Sequence, residues 1–223
     1  FNNSSNTQVN FSEIFKCYCL THFLKIQIIT NLAQNFLTMA QTPSNMIPIR
    51  TVAPDFSLFD TVSDKELQLE QLKGKKGTVV MFICNHCPFV IHINPILVEI
   101  ADIYQNKGIR FIAISSNDVI NYPQDGPHYM KLHAKKEKYP FPYLYDETQE
   151  VAKAYAAACT PDFFVFNKDL KLCYRGQLDD SRPGNNIPVT GTDLRNALDC
   201  LIENKENTKN QKPSIGCNIK WKK

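Results

Sequence analysis

The chain has 223 residues, 43% of them hydrophobic and 21% charged, which is ordinary for a globular protein with one sizeable core. A net charge of +3 excludes the strongly basic balance of a nucleic-acid or membrane-surface protein. Eight cysteines in a chain of this length exclude a small stapled scaffold, so a reducing, cytoplasmic setting is expected.

Residues 1–45 read as an N-terminal extension, disordered or loosely packed and outside the fold. The stretch before Met39 is rich in Asn, Phe, Ile and Thr and carries only Glu13, Lys16 and Lys25 as charges. Phe23 to Leu37 fits an amphipathic helix without chemistry. The expectation is a translated leader with the natural start at Met39. The alternative is a truncated targeting segment, which would make the location organellar, although the stretch lacks the arginines of a transit peptide. No run approaches the roughly 18 apolar residues of a membrane span.

One folded domain is expected over 46–204. Ala53 to Leu58 reads as a short edge strand, with Pro54 tolerated near its start, and Glu66 to Lys73 as a connector closed by Gly74. Thr78 to Ile83 is a continuous apolar run, the mark of a strand buried on both faces. A helix is predicted from Pro88 to about Asn106, ended by Gly108, followed by a second buried strand over Arg110 to Ser115. The insert from Asn117 to Pro142 is proline-rich, with a helix near His128 to Lys138. Tyr143 to Tyr145 predicts a short strand and Glu147 to Ala158 an alanine-rich helix. A hairpin is expected from Phe163 to Phe166 and Lys171 to Arg175, then a polar loop, and a last helix from Thr192 burying Leu194, Ala197, Leu198, Leu201 and Ile202. Residues 205–223 read as a basic tail. Strands alternating with helices predict an α/β domain with a central mixed β-sheet flanked by helices.

The sharpest feature is Cys84-Asn85-His86-Cys87-Pro88, at a strand-to-helix junction. A thiol attacks as thiolate, and a helix N-terminus favours that anion. Pro88 suits the first helical position, which makes Cys87 the N-cap residue with its sulfur toward the positive end. His86, when protonated, adds to that stabilisation. Two other readings of the pair stand beside redox chemistry: inert buried thiols, or half of a zinc site, for which His92 is the nearest further ligand. Cys173 and Cys200 lie in apolar periodic segments and read as small buried hydrophobes. His128 and His133 read as surface residues, and Arg175 and Arg182 as solvated strand-end arginines rather than thiolate partners.

The helix phrase Pro95-Ile96-Leu97-Val98-Glu99-Ile100-Ala101 resembles the active-site helix of thioredoxins. In that family the nucleophilic cysteine precedes the proline by eight residues and a strand phenylalanine precedes the cysteine by five; here those places hold Cys87 and Phe82. The family's second cysteine would fall at Val90 and its buried acid at Met81, so the pair Cys84/Cys87 is shifted in register. Thr160-Pro161 stands where thioredoxin-fold proteins place a cis-proline facing the active cysteine. Ala53-Pro54-Asp55-Phe56, Leu72-Lys73-Gly74-Lys75 and Cys87-Pro88 resemble the alkyl hydroperoxide reductase/thiol-specific antioxidant (AhpC/TSA) family. Within it the nearest likeness is a peroxiredoxin-like group with a CNHCP motif, an ACTPDFF phrase and a PSIGCNIKW tail. The likeness runs from about Ile47 to the C-terminus.

The resemblance implies a thioredoxin-like fold and an oxidoreductase acting on thiols. The leading expectation is a thiol-disulfide oxidoreductase with Cys87 as nucleophile and Cys84 as resolving partner. The alternative is a thiol peroxidase passing through a Cys87 sulfenic acid, weakened because Cys84 replaces the hydroxyl residue that peroxiredoxins carry there. A redox-sensing or zinc-binding module is the third reading. Supporting positions are His86, Pro88, Thr160 and Pro161; Cys159 and Cys217 are further resolving candidates. Partners are protein or small-molecule disulfides, or peroxides, with a thiol reductant; no cofactor, nucleic acid or membrane is implied.

Overall fold

The computed structural model describes residues 41–223. The expected leader, its helix over Phe23 to Leu37 and the start at Met39 lie outside the described residues.

The core is built around β4 (Gly77–Phe82), whose six residues are all buried. A strand covered on both faces and both edges reads as unbroken apolar sequence. It pairs in parallel with β5 (Ile109–Ser115) and antiparallel with β8 (Asp162–Asn167). With β2 (Ser57–Asp60), β3 (Lys65–Gln68), β6 (Tyr143–Tyr145) and β9 (Leu172–Gly176), these make a seven-stranded mixed sheet of order β3-β2-β6-β5-β4-β8-β9. One face is filled by Val80, Phe82, Ile112, Ile114, Phe164 and Phe166, against which Tyr155 packs edge-on. A second, three-stranded sheet joins β1 (Gln41–Pro43), β10 (Ile215–Asn218) and β7 (Cys159–Thr160) in the order β1-β10-β7.

Among the described residues five helices flank the strands: α1 (Leu69–Leu72), α2 (Pro88–Gln105), α3 (Pro127–Glu137), α4 (Glu150–Ala154) and α5 (Thr192–Ile202). The longest, α2, starts with Pro88 and buries Val90, Ile93, Leu97, Ile100, Ala101 and Tyr104, a stripe at helical spacing. Gly108 follows it with φ of 89°, a conformation that costs glycine little. Among the described residues no helix is long and apolar enough to cross a membrane.

Several sequence expectations are corrected. The strand expected from Ala53 begins at Ser57 and is not an edge: part of the expected connector is β3, which forms a hairpin with β2 and covers its outer side, while β6 pairs on the other. The helix expected from Glu147 to Ala158 covers only Glu150–Ala154, because Gln149 and Ala156 take left-handed backbone conformations at either side. The Asp146 carboxylate instead accepts the Ala152 N–H at 2.9 Å. Both expected boundaries move: Gln41–Pro43, placed in the extension, and Ile215–Asn218, placed in the tail, pair with each other as strands. Arg175 is wholly buried rather than solvated, and Cys173 and Cys200 are only partly buried.

Candidate active site

The chain leaves β4 at Phe82 and enters α2 at Pro88, with Cys84-Asn85-His86-Cys87 as the connecting loop. Asp125, fully buried in the proline-rich insert, organises this loop. Its Oδ1 accepts the Asn85 backbone N–H at 2.9 Å, and its Oδ2 accepts the His86 Nδ1 at 2.6 Å and the Asn117 side-chain amide at 2.9 Å. The Asn85 amide donates to Gln124 O, and the Tyr143 hydroxyl donates to Asn85 Oδ1. The His86 ring stacks on Tyr122. A buried carboxylate persists only when its acceptor sites are filled, and here the cysteine loop fills them. Sequence reading missed Asp125 and Asn117, since nothing in the insert distinguishes one polar residue from another, and Tyr143, which reads only as the start of β6.

Cys87 is the N-cap residue of α2 as expected, but its side chain makes no capping hydrogen bond to the first turn. Its sulfur instead meets β7 and β10: Sγ lies 3.1 Å from the Thr160 carbonyl oxygen and 3.1 Å from Cys217 Sγ. Cys84 Sγ lies 3.5 Å from the Thr160 hydroxyl and 4.0 Å from His86 Nδ1. The Thr160-Pro161 peptide bond is cis, and Pro161 leads directly into β8 beside β4. Thus Cys87, Cys84, Thr160 and Pro161 are brought together, along with Cys217. Cys159 is not: its sulfur turns to the carbonyl oxygens of Pro161 and Ser214, and burial pushes its pKa up. All three clustered sulfurs are covered, with exposures of 0% for Cys87, 2% for Cys84 and 2% for Cys217.

Burial opposes ionisation of Cys87, yet the thiols of Cys217 and Cys84, the Thr160 hydroxyl and the Cys217 N–H together hold it well below the ordinary thiol range. The same contacts push Cys84 and Cys217 up: the hydrogen bond to Cys87 is the largest cause for each, followed by burial. Of the three clustered thiols, Cys87 is thus the one whose pKa is lowered, while those of Cys84 and Cys217 are raised by their contact with it.

Cys84, His86 and Asp125 place one sulfur, one nitrogen and one oxygen within 4.8 Å of one another. Their spacing is that of a hydrogen-bonded pair beside a thiol: His86 Nδ1 and Asp125 Oδ2 are 2.6 Å apart, whereas two ligands of a tetrahedral zinc sit about 3.3 Å apart given its bond lengths. His92, the expected further ligand, is engaged with the Ser181 hydroxyl at 2.7 Å. Arg175 and Arg182 do not touch the thiols. Arg175 pairs with Asp162 at 3.0 Å, and Arg182 donates to the backbone carbonyls of Asp179 and Ser181. His133 contacts the Asn94 side chain at 3.4 Å, and His128 packs edge-on against Tyr129.

The chain is 26% identical over 135 residues, 59% of its own length and 70% of the relative's, to the thiol-disulfide oxidoreductase ResA of Geobacillus thermodenitrificans (strain NG80-2). Among solved structures it is similar to a conserved protein from Geobacillus kaustophilus, with 57% identity, a TM-score of 0.81, and coverage of 82% of this chain and 97% of that one. A protein from Sinorhizobium meliloti is similar at 45% identity and a TM-score of 0.79, covering 81% and 98%. The thioredoxin domain of a thiol-disulfide oxidoreductase from Bacteroides vulgatus shares the fold at 17% identity, with a TM-score of 0.55 and coverage of 70% and 99%. The Redoxin family model matches residues 50–194, and with its thioredoxin-like fold the chain belongs to the Redoxin family.

Proposed function

We propose that the protein is a thiol-disulfide oxidoreductase in which Cys87 is the nucleophile and Cys84 the resolving thiol. The observation that carries this reading is the Cys87 sulfur at the strand-to-helix junction, against the Thr160-Pro161 turn and 3.1 Å from the Cys217 sulfur, with the neighbouring thiols lowering its pKa. The Cys87 thiolate attacks one sulfur of a substrate disulfide and expels the other as thiolate, giving a mixed disulfide. Cys84, next to the Thr160 hydroxyl and His86, then gives up its proton and attacks the Cys87 sulfur. The substrate leaves with both sulfurs reduced, and a Cys84–Cys87 disulfide remains for an external thiol to reduce. The sulfenate-free balance is two electrons from the cysteine pair to the substrate.

The test is turnover of insulin disulfides with a thiol reductant. Cys87→Ser should abolish it, while Cys84→Ser, made together with Cys217→Ser so that no neighbouring thiol remains, should accumulate a mixed disulfide on Cys87. Reversed roles for these two variants would refute the assignment.

One observation favours peroxidase chemistry as a second reading: Cys87 has no exposed surface, and a hydroperoxide reaches a covered sulfur more easily than a protein disulfide does. Stopped-flow loss of the Cys87 thiol with hydrogen peroxide, faster than that of free cysteine, would support it.

A further inference from the structure

Resolution by Cys84 leaves a third buried thiol in contact with the nucleophile. Cys217 sits on β10, where it is opposite Thr160 in the antiparallel register with β7. Its neighbour Gly216 lets β10 approach this closely, because a Cβ there would lie 2.0 Å from the Thr160 carbonyl oxygen. Hydrogen bonds hold the segment on either side. Ser44 N–H donates to Ser214 O at 2.9 Å, Asp118 N–H and the Gln149 amide donate to Lys220 O at 2.8 Å, and Lys220 N–H donates to Asn117 Oδ1 at 2.9 Å. The result is a terminal strap laid over Cys87 with a thiol pressed on the reactive sulfur.

We propose that Cys217 is a third redox-active thiol of this chain, and that β10 is a strap which locks Cys87 by intramolecular disulfide exchange. The proposal rests on the Cys87-centred reading above. After substrate has been reduced, the Cys217 thiolate attacks the Cys87 sulfur of the Cys84–Cys87 disulfide. A Cys87–Cys217 bond forms, the Cys84–Cys87 bond breaks, and the proton lost by Cys217 is taken up by Cys84. The exchange conserves the oxidation state, so no further oxidant is consumed. The sulfurs start 3.1 Å apart and need to close to about 2.05 Å, an adjustment of about 1 Å that rotation of the two cysteine side chains supplies. The anion on Cys87 that suppresses ionisation of Cys217 is absent once Cys87 is in a disulfide, which frees Cys217 to attack at that stage. The locked form has its nucleophile both bonded and covered, and returns to the cycle when an external thiol attacks it.

The experiment is a disulfide map of the whole reduced chain after limited oxidation with diamide, acid quenching, alkylation in denaturant and tryptic digestion. Trypsin separates the segment bearing Cys84 and Cys87 from that bearing Cys217. The expected product joins the two segments in the wild type and in Cys84→Ser, whereas Cys217→Ser yields only the Cys84–Cys87 bond. Full alkylation of Cys217 alongside a Cys84–Cys87 disulfide would overturn the strap while leaving the exchange reading intact. Full alkylation of Cys87 in every sample would overturn both.

Discussion

Replacing Arg175 by alanine probes the buried frame that holds the Thr160-Pro161 turn against the cysteines. The Arg175 side chain is completely covered; its Nη2 donates to Asp162 Oδ2 at 3.0 Å and to Ala156 O at 3.1 Å, and its Nη1 donates to Tyr155 O at 3.1 Å. Its guanidinium lies 3.9 Å above the Phe164 ring centroid. One side chain thus ties the segment entering β7 to the first residue of β8. Burial lowers the Arg175 pKa and raises that of Asp162 to about 6, so desolvation outweighs the pair's attraction. Removing the cation leaves the buried Asp162 carboxylate uncompensated, with the Ala158 N–H at 3.3 Å, and takes the Arg175 donor from Tyr155 O; breaking a buried pair in this way costs about 3–5 kcal/mol. At about 2–4 °C per kcal/mol for a domain of this size, Arg175→Ala should lower Tm by roughly 6–20 °C. Thermal melts of the wild type, Arg175→Ala and the double variant Arg175→Met/Asp162→Leu give the measurement. An apolar replacement of both partners is often neutral, so the double variant should recover most of the loss. A fall in Tm below about 3 °C, or a double variant melting no higher than Arg175→Ala, would refute the reasoning.

The Asp162 carboxyl makes a second prediction, about pH. Its folded pKa is raised, chiefly by burial, to about 6 from 3.8, so the folded chain holds this proton more tightly than the unfolded one. The contribution is present below the unfolded value and lost as pH rises through 6. Asp162→Asn should therefore lessen the decline in stability between about pH 4 and pH 6, read as the difference between the two melting series; parallel curves would count against it. Gly216→Ala puts a methyl group 2.0 Å from the Thr160 carbonyl oxygen, forcing β10 outward at a cost of about 1–3 kcal/mol. Cys87 should then react with iodoacetamide about tenfold faster in the reduced chain, and an unchanged rate would show that β10 does not cover it. Asp125→Ala removes the acceptor for Asn85, His86 and Asn117, each orphaned donor costing about 1–3 kcal/mol where water cannot replace it. Disulfide turnover should fall steeply, with Tm falling as well; full activity would remove Asp125 from the positioning machinery.

The parts of this molecule legible in sequence are those whose signal is local. The run ending at Phe82 declares a buried strand because β4 has partners on both edges, and the stripe from Val90 to Tyr104 declares α2 because one face meets the sheet. The cysteine pair and the Thr160-Pro161 step are equally local. What stayed hidden depends on partners far along the chain. Ile215–Asn218 is too short to show a period, and it is a strand because Gln41–Pro43 and Cys159–Thr160 flank it. Arg175 has the composition of a solvated residue, and only the fold brings Asp162 and two carbonyls to its guanidinium. The alanine-rich stretch after Glu147 illustrates the converse. High helix propensity there yields one short helix, because the Asp146 carboxylate fixes its start and Ala156 turns left-handed just beyond its end.

The strap and the cysteine loop are fastened by the same side chain. Asn117 accepts the Lys220 N–H on its oxygen and donates from its nitrogen to Asp125, the carboxylate that receives Asn85 and His86. A carboxamide offers its acceptor and donors in fixed directions, so the rotamer that closes the tail is also the one that seats the loop. The hold on β10 and its flanks consists of hydrogen bonds, each worth about 1 kcal/mol net, with Cys217 and Ile219 as its buried apolar anchors. β10 pairs with β1 on one edge and β7 on the other, so uncovering Cys87 means breaking these pairings together, a local opening that lies below global unfolding. Because Cys87 is covered completely, a substrate disulfide reaches its sulfur only when β10 opens, a local equilibrium that the rest of the fold need not share.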